Sequence, residues 1–347
     1  MKFKRIILIC LLLVLTGAGI WYVQSEKRNT AFKPLEKEEI PTETGASVQS
    51  GSGLNEIGKS EFLKVPENAF GEAGAAVSLL PVDLVLESSL EKSGEPNLGT
   101  AQFIGGKTVL ISIFVNNTEY NWDFEDSDDV DAYSRLYYRL QSAAEWIEEL
   151  ADNRDVSCDI VWDWYNNDDL YYVTEEDCDM AGPINSLYPS VSSWIQAHLD
   201  VEQIVSEYEA DNVIFMFYNN SDPDNDQPSC AYAFDFYNLT DQQIGYEAVW
   251  FNIGYKGFTN GAPALAHEIL HCFGAVDLYY SNDQITDEYV DYLASIDSED
   301  IMYMLYDEPD EINEQFSELD AYYVGLTPYS SDAEQFGLGQ SSHFADQ

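Results

Sequence analysis

The sequence predicts an α+β protein, close to the α/β class, in which a mixed β-sheet carries helices packed on it. Three observations predict it. Apolar, β-branched runs of strand length recur between residues 108 and 253. Between them lie longer stretches in which apolar residues return every three or four positions. The order that results is strand, helix, strand, helix, strand, two strands, helix, as in a layered domain with one sheet.

Each element has its own justification. Thr108 to Val115 reads TVLISIFV, an apolar run without polar alternation, hence a buried strand. Asp131 to Leu150 places Leu136, Leu140, Ala143, Ala144, Ile147 and Leu150 at helical spacing, with acidic residues near its start. Asp159 to Trp164 reads as a strand and Val191 to Tyr208 as a helix. Val213 to Tyr218 is a strongly apolar strand, and Ala231 to Tyr237 and Glu247 to Ile253 are two more, separated by turn-forming residues. A well-punctuated helix follows. Asn260 is placed to cap it, Pro263 suits its first turn, and Gly274 marks its end. Leu265, Ile269 and Cys272 give it an apolar stripe for the sheet.

The flanks differ in composition. Lys2, Lys4 and Arg5 precede an apolar run from Ile6 to Val23, so residues 1–24 read as a signal peptide or membrane anchor that sends the rest across the membrane. Cys10 lies inside that run without a small-residue lipobox before it, so no lipoprotein is read. Residues 25–99 form a polar linker or pro-segment, with linker composition over Gly45 to Gly58 and one apolar piece, Val77 to Leu86. Residues 100–330 carry the folded domain, and 331–347 read as a polar tail.

Charge narrows the partners. Of 347 residues, 15 are Lys or Arg and 63 Asp or Glu, a formal net charge of −48. Nucleic acid would be repelled by such a chain. Asp222-Pro223-Asp224-Asn225-Asp226 alternates carboxylates, but Gln227 and Ala233 stand where an EF-hand needs Gly and Glu, so structural calcium is unsupported. Membrane contact is expected only through the N-terminal segment, and the protein is expected to be monomeric. Outside that segment are Cys158, Cys178, Cys230 and Cys272. An exported chain permits two disulfides among them, and Cys158 with Cys178 closes the shortest preferred loop. Cys272 reads as a buried small apolar side chain.

The chemistry concentrates in His267-Glu268-Ile269-Leu270-His271-Cys272-Phe273-Gly274-Ala275-Val276-Asp277. On a helix, histidines four apart share one face, where both imidazoles reach one metal ion. Glu268 then lies beside that ion, placed to work on a water. Catalytic zinc takes three protein ligands and keeps one position open. Gly274 can adopt positive φ and double the chain back, bringing Asp277 within reach.

With Asp277 the motif is HExxHxxGxxD, which resembles the metzincin metallopeptidases, in the snapalysin-like form with an aspartate as third ligand. Ser298-Glu299-Asp300-Ile301-Met302-Tyr303 resembles that family's methionine turn, with Met302 as the hydrophobic floor and Met304 as a neighbouring rival. Glu311 to Leu326 resembles its C-terminal helix. The resemblance implies a twisted, mainly parallel sheet with long helices above a cleft, an active-site helix, and a smaller, irregular C-terminal subdomain. It implies one catalytic Zn2+ on His267, His271 and Asp277, with Glu268 as general base in hydrolysis of extracellular proteins or peptides. Tyr303 and Tyr306 are its candidates for oxyanion stabilisation, and Ala231, Tyr232 and Ala233 its candidate edge strand for an extended substrate. Two alternatives stand beside it. A gluzincin-like site would take Glu288 or Asp291 as third ligand, and a cell-surface binding protein would keep the scaffold without catalysis.

Overall fold

The computed structural model describes residues 31–37, 104–116, 120–174, 194–222, 229–233, 245–305 and 309–344, with positions 40, 191 and 224. The apolar run before residue 24, the linker from Gly45 to Gly58, the piece Val77 to Leu86, Cys178 and Tyr306 lie outside the described residues, as does most of the acidic stretch Asp222–Asp226. Among the described residues no helix is long and apolar enough to cross a membrane.

In chain order the elements are β1 (Gly106–Val115), α1 (Ser127–Asp152), β2 (Cys158–Val161), β3 (Tyr171–Val173), α2 (Val201–Tyr208), β4 (Asn212–Asn219), β5 (Cys230–Ala233), β6 (Gly245–Asn252), β7 (Gly254–Tyr255), β8 (Phe258–Thr259), α3 (Ala262–Cys272), α4 (Asp287–Ser295), α5 (Glu318–Tyr323) and α6 (Ser331–Phe336). The main sheet has the order β2-β1-β4-β6-β5, with β3 also pairing β1. All its pairings are parallel except β5 with β6, which is antiparallel and forms the edge. The fold is therefore mixed α/β, as the alternation of elements predicts, and its sheet is mostly parallel.

Period-two alternation sorts the aromatic side chains onto two faces. Phe114, Tyr218 and Phe251 stand in one row across β1, β4 and β6. Phe114 packs on Tyr133 of α1 at 4.9 Å and on Trp164 at 5.5 Å, and Trp164 Nε1 donates to the Tyr133 hydroxyl. One residue back, Phe217 and Trp250 face the other way, where Trp194 meets Phe217 at 6.0 Å. Parallel strands covered on both faces explain why β1 and β4 read as unbroken apolar runs.

α1 lies over β2 and against α3. Its capping is acidic, with Asp126 accepting from the Asp128 N–H and Asp129 following in the first turn. Arg139, 3% exposed, reaches from α1 to Asp310 at 2.8 Å and to the Asn260 carbonyl at 3.4 Å, so it ties α1 to the start of α3. Residues 31–36 also dock on α1. The Tyr133 and Tyr138 hydroxyls donate to the carbonyls of Phe32 and Leu35, and Phe32 stacks on Phe124.

Several boundaries differ from the sequence expectation. The helix expected over Val191 to Tyr208 is interrupted at Leu199 and Asp200, because the Asp200 carboxylate accepts from the Gln203 N–H and starts α2 afresh. The α3 N-cap is Gly261, not Asn260, whose side chain instead donates to the Asn252 carbonyl. A Cβ on Gly261 would run into the Pro309 backbone, and the Ala262 N–H donates to the Pro309 carbonyl at 2.7 Å. Of the helix expected over Glu311 to Leu326 only α5 is helical, because the Ser317–Asp320 capping box starts it at Glu318. Residues 331–344 pack on the domain rather than trailing from it. Tyr289 donates to Asp332, Phe336 packs on Tyr289 and Tyr292, and His343 Nε2 donates to the Phe273 carbonyl. Cys158 and Cys272 are free thiols, so the preferred bridge from Cys158 is not formed.

Candidate metal centre

α3 is apolar almost all round, and nearly every residue from Ala262 to Cys272 is buried. Such a helix belongs inside a layer. Leu265, Ile269 and Cys272 face the interior as the stripe predicts, and the helix packs against β5, β6 and α1. Its C-terminus is a Schellman motif. The Gly274 N–H donates to the His271 carbonyl at 2.9 Å and the Ala275 N–H to the Leu270 carbonyl at 3.1 Å. Gly274 has φ +100°, a conformation that costs a side-chain-bearing residue strain. This turn sends the chain back along the helix and delivers Asp277 to the histidines.

The result is a triangle of acceptor atoms. His267 Nε2 lies 3.1 Å from His271 Nε2, and Asp277 Oδ1 lies 3.2 Å from the first and 3.1 Å from the second. Both Nδ1 atoms are committed elsewhere. His267 Nδ1 donates to the Ile301 carbonyl at 3.0 Å and His271 Nδ1 to the Ala275 carbonyl at 2.9 Å. A carbonyl only accepts, so both Nδ1 carry hydrogen, and a neutral ring then turns its Nε2 lone pair to the centre. Three such atoms, each able to ligate, are close enough together to hold one metal ion. Ligands at about 2.0–2.2 Å from a tetrahedral zinc stand roughly 3.3 Å apart, close to the spacing here. Among the described residues these three form the one group of histidine, cysteine and carboxylate ligands within 4.8 Å of one another.

Asp277 and His271 stabilise each other's charged forms. Burial alone would raise the Asp277 carboxyl, but the His271 charge and hydrogen bonds from both imidazoles hold it well below the usual carboxylate range. Burial disfavours the charged form of His271, yet the Asp277 charge and hydrogen bond, with the Ala275 carbonyl, raise it. Glu268 is different. Burial pushes it up to about 8; the His267 charge opposes the rise and Asp277 adds to it. Its Oε2 is buried without a hydrogen-bond partner.

The methionine-turn segment is a turn over residues 301–303, with Met302 fully buried. It touches the centre through its backbone: Ile301 supports His267, and the Met302 carbonyl accepts from the Leu278 N–H at 2.8 Å. Tyr303 has Asp297 as its charged neighbour. The tyrosines beside the cluster are Tyr279 and Tyr280, two and three residues after Asp277 in sequence. Tyr280 donates to Asp277 Oδ2 at 3.4 Å, and Tyr279 is raised by burial and by the Asp277 charge. Sequence reasoning placed the phenol near Met302 and passed over this pair. Glu288 and Asp291 sit exposed on α4, whose inward residues are Tyr289 and Leu293, so they are not brought to the histidines. Ala231, Tyr232 and Ala233 lie on the antiparallel edge strand β5, next to α3. Compared with known proteins, the sequence matches no family model and no curated protein.

Proposed function

We propose that the chain is an exported zinc-dependent endopeptidase of metzincin type, hydrolysing extracellular proteins or peptides. One observation carries it: His267 Nε2, His271 Nε2 and Asp277 Oδ1 converge at 3.1–3.2 Å beside a glutamate whose Oε2 has no partner. A structural site closes its coordination with a fourth side chain, whereas three ligands leave a position for a water or substrate. Zinc held by these three atoms would supply Lewis-acid chemistry, lowering the pKa of a water and polarising a carbonyl.

The chain's own residues supply the remainder. Glu268 Oε2 accepts a proton from the attacking water and passes it to the leaving amine. The carbonyls of Ile301 and Ala275 fix the imidazole tautomers, so both rings present lone pairs without reorganisation. Tyr279 and Tyr280 offer phenols next to the ligand set, a better-placed source of oxyanion stabilisation than Tyr303. The free edge of β5 pairs with an extended substrate through main-chain hydrogen bonds, which tolerates varied side chains. Met302 forms part of the floor under the site. The basic residues Lys2, Lys4 and Arg5 before the apolar run support export.

The test is metal analysis and casein cleavage on wild type and Glu268→Gln. Zinc is expected at one equivalent in both, with cleavage reduced by about 10²–10⁴-fold in the variant. Equal cleavage by the two proteins would remove Glu268 from the mechanism, and a wild type that binds no zinc would remove the site.

A further inference from the structure

Behind the metal centre lies a pair of acids that the proposed chemistry does not use. Asp300 opens the turn that carries Ile301 and Met302, and Asp320 sits in α5. They are 3% and 0% exposed. Each has one oxygen engaged by backbone. The Met302 N–H donates to Asp300 Oδ1 at 2.8 Å, and the Ser317 N–H donates to Asp320 Oδ2 at 3.3 Å. The other two oxygens, Asp300 Oδ2 and Asp320 Oδ1, are buried and accept from no donor. The two carboxyls nevertheless act on each other: Asp320 lowers Asp300, and Asp300 raises Asp320.

Two carboxylates cannot hydrogen-bond without a proton between them, and two negative charges in a dry site repel strongly. Compensation comes from neutral donors: Ser317 lowers both carboxyls, and the Met302 N–H lowers Asp300. Tyr289, from α4, faces both acids and donates its hydroxyl to Asp332 of α6, while Tyr323 of α5 faces Asp320. Glu299, beside Asp300, bonds Gln315, and Glu318, on the first turn of α5, is exposed and pairs with Arg154. The charged and titratable groups facing the pair are thus neutral or acidic.

We propose that Asp300 and Asp320 share one proton, and that this acid pair fastens the turn of residues 300–303 to α5 and so holds the Ile301 carbonyl in place under His267. The pair spans 20 residues of sequence and joins the irregular C-terminal part to the metal-binding half. A parallel bridge between Asp300 and Gln315 runs beside it, with the Ile301 N–H donating to the Gln315 carbonyl at 2.8 Å. That bridge positions the backbone, and the acid pair closes the same junction from the side-chain layer. Asp320 acts here as a positioning residue: it reaches His267 only through Asp300 and the turn.

The consequence is a pH dependence of one sign. Burial raises both carboxyls, Asp320 further than Asp300 because of the Asp300 charge. A carboxyl raised in the folded state contributes stability that is complete below the unfolded value of about 3.9 and is lost as pH rises through the folded value. The junction therefore tightens in mild acid and loosens in base.

The experiment uses the full chain and three variants: Asp320→Asn, Asp320→Ala and Glu268→Gln. Asparagine keeps an N–H donor toward Asp300 and an acceptor for Ser317 but has nothing to titrate. Infrared spectra of metal-free protein at neutral pH are expected to show two buried protonated carboxyls, one lost in Asp320→Asn and kept in Glu268→Gln, the other, that of Glu268, lost only in Glu268→Gln. Between pH 5.5 and 9 the Tm of metal-free wild type is expected to fall by about 5 °C more than that of Asp320→Asn. Absence of the Asp320-dependent carboxyl band, or identical pH profiles for wild type and Asp320→Asn, would overturn the shared proton. The link to the centre rests on the proposed metal site and has its own readout. Zinc affinity is expected to fall about tenfold in Asp320→Ala and to be retained in Asp320→Asn. Unchanged affinity in Asp320→Ala would overturn that link, while a wild type that binds no zinc would overturn the metal reading and leave the infrared and Tm results standing.

Discussion

The Nδ1 of His267 donates to the Ile301 carbonyl at 3.0 Å, so a side chain on α3 is oriented by a turn 34 residues further along. Its neighbour His271 is oriented by the Ala275 carbonyl, four residues away. One support is local and the other tertiary, and the two imidazoles should respond differently to damage at a distance.

Each ligand can be removed singly. His267→Ala, His271→Ala and Asp277→Ala are expected to lower zinc affinity by more than the roughly 100-fold that loss of an outer-shell partner costs. Competition with a chromogenic chelator measures it. Glu288→Ala and Asp291→Ala, on the exposed side of α4, are expected to bind as wild type.

Gly274→Ala places a Cβ at φ +100°. The strain is expected to cost about 1–3 kcal/mol, read as a lower urea midpoint with unchanged slope. Zinc affinity should fall as well, because the Schellman turn is what returns Asp277 to the histidines. The same substitution at Gly257, where a Cβ would meet nothing within 4 Å, tests backbone strain without the site.

Arg139→Met keeps the aliphatic stem in place but removes the hydrogen bonds to Asp310 and to the Asn260 carbonyl. A loss of about 2 kcal/mol is expected. Hydrogen exchange should show the first turn of α3 opening more often, since that carbonyl is adjacent to the N-cap Gly261.

Cys158 gives a pH test away from the metal. Burial, with the charges of Glu148, Asp159 and Asp152, pushes its thiol up to about 12. The thiolate is the reactive form, so at pH 8 only about one molecule in 10⁴ is reactive at this site. Alkylation of folded protein is expected to run about a thousandfold slower than after unfolding, where the thiol has its ordinary value near 8.5. The folded rate should rise tenfold per pH unit up to about pH 11. A fast-reacting Cys158 at pH 8, located by peptide mapping, would contradict the burial seen here.

Much of this protein was legible without coordinates, because the decisive features are local. The period of Leu136, Leu140, Ala143 and Ile147 made α1 a helix, and unbroken apolar runs made β1 and β4 interior strands. The spacing of His267 and His271, and a glycine at 274 able to take positive φ, were enough to aim three side chains at one point, since helix geometry and a Schellman turn are fixed within a dozen residues. Where boundaries were misjudged, a short-range hydrogen bond decided them: Asp200 restarted a helix, and Ser317 with Asp320 delayed another. What the tertiary structure alone decided lies across longer separations. It chose the Ile301 carbonyl as the partner of His267, put Tyr280 rather than Tyr303 beside Asp277, folded residues 331–344 against the domain, and buried Asp300 against Asp320. No periodicity encodes such meetings, because they follow from how separate elements pack, and a side chain's charge and tautomer follow in turn from what that packing leaves next to it.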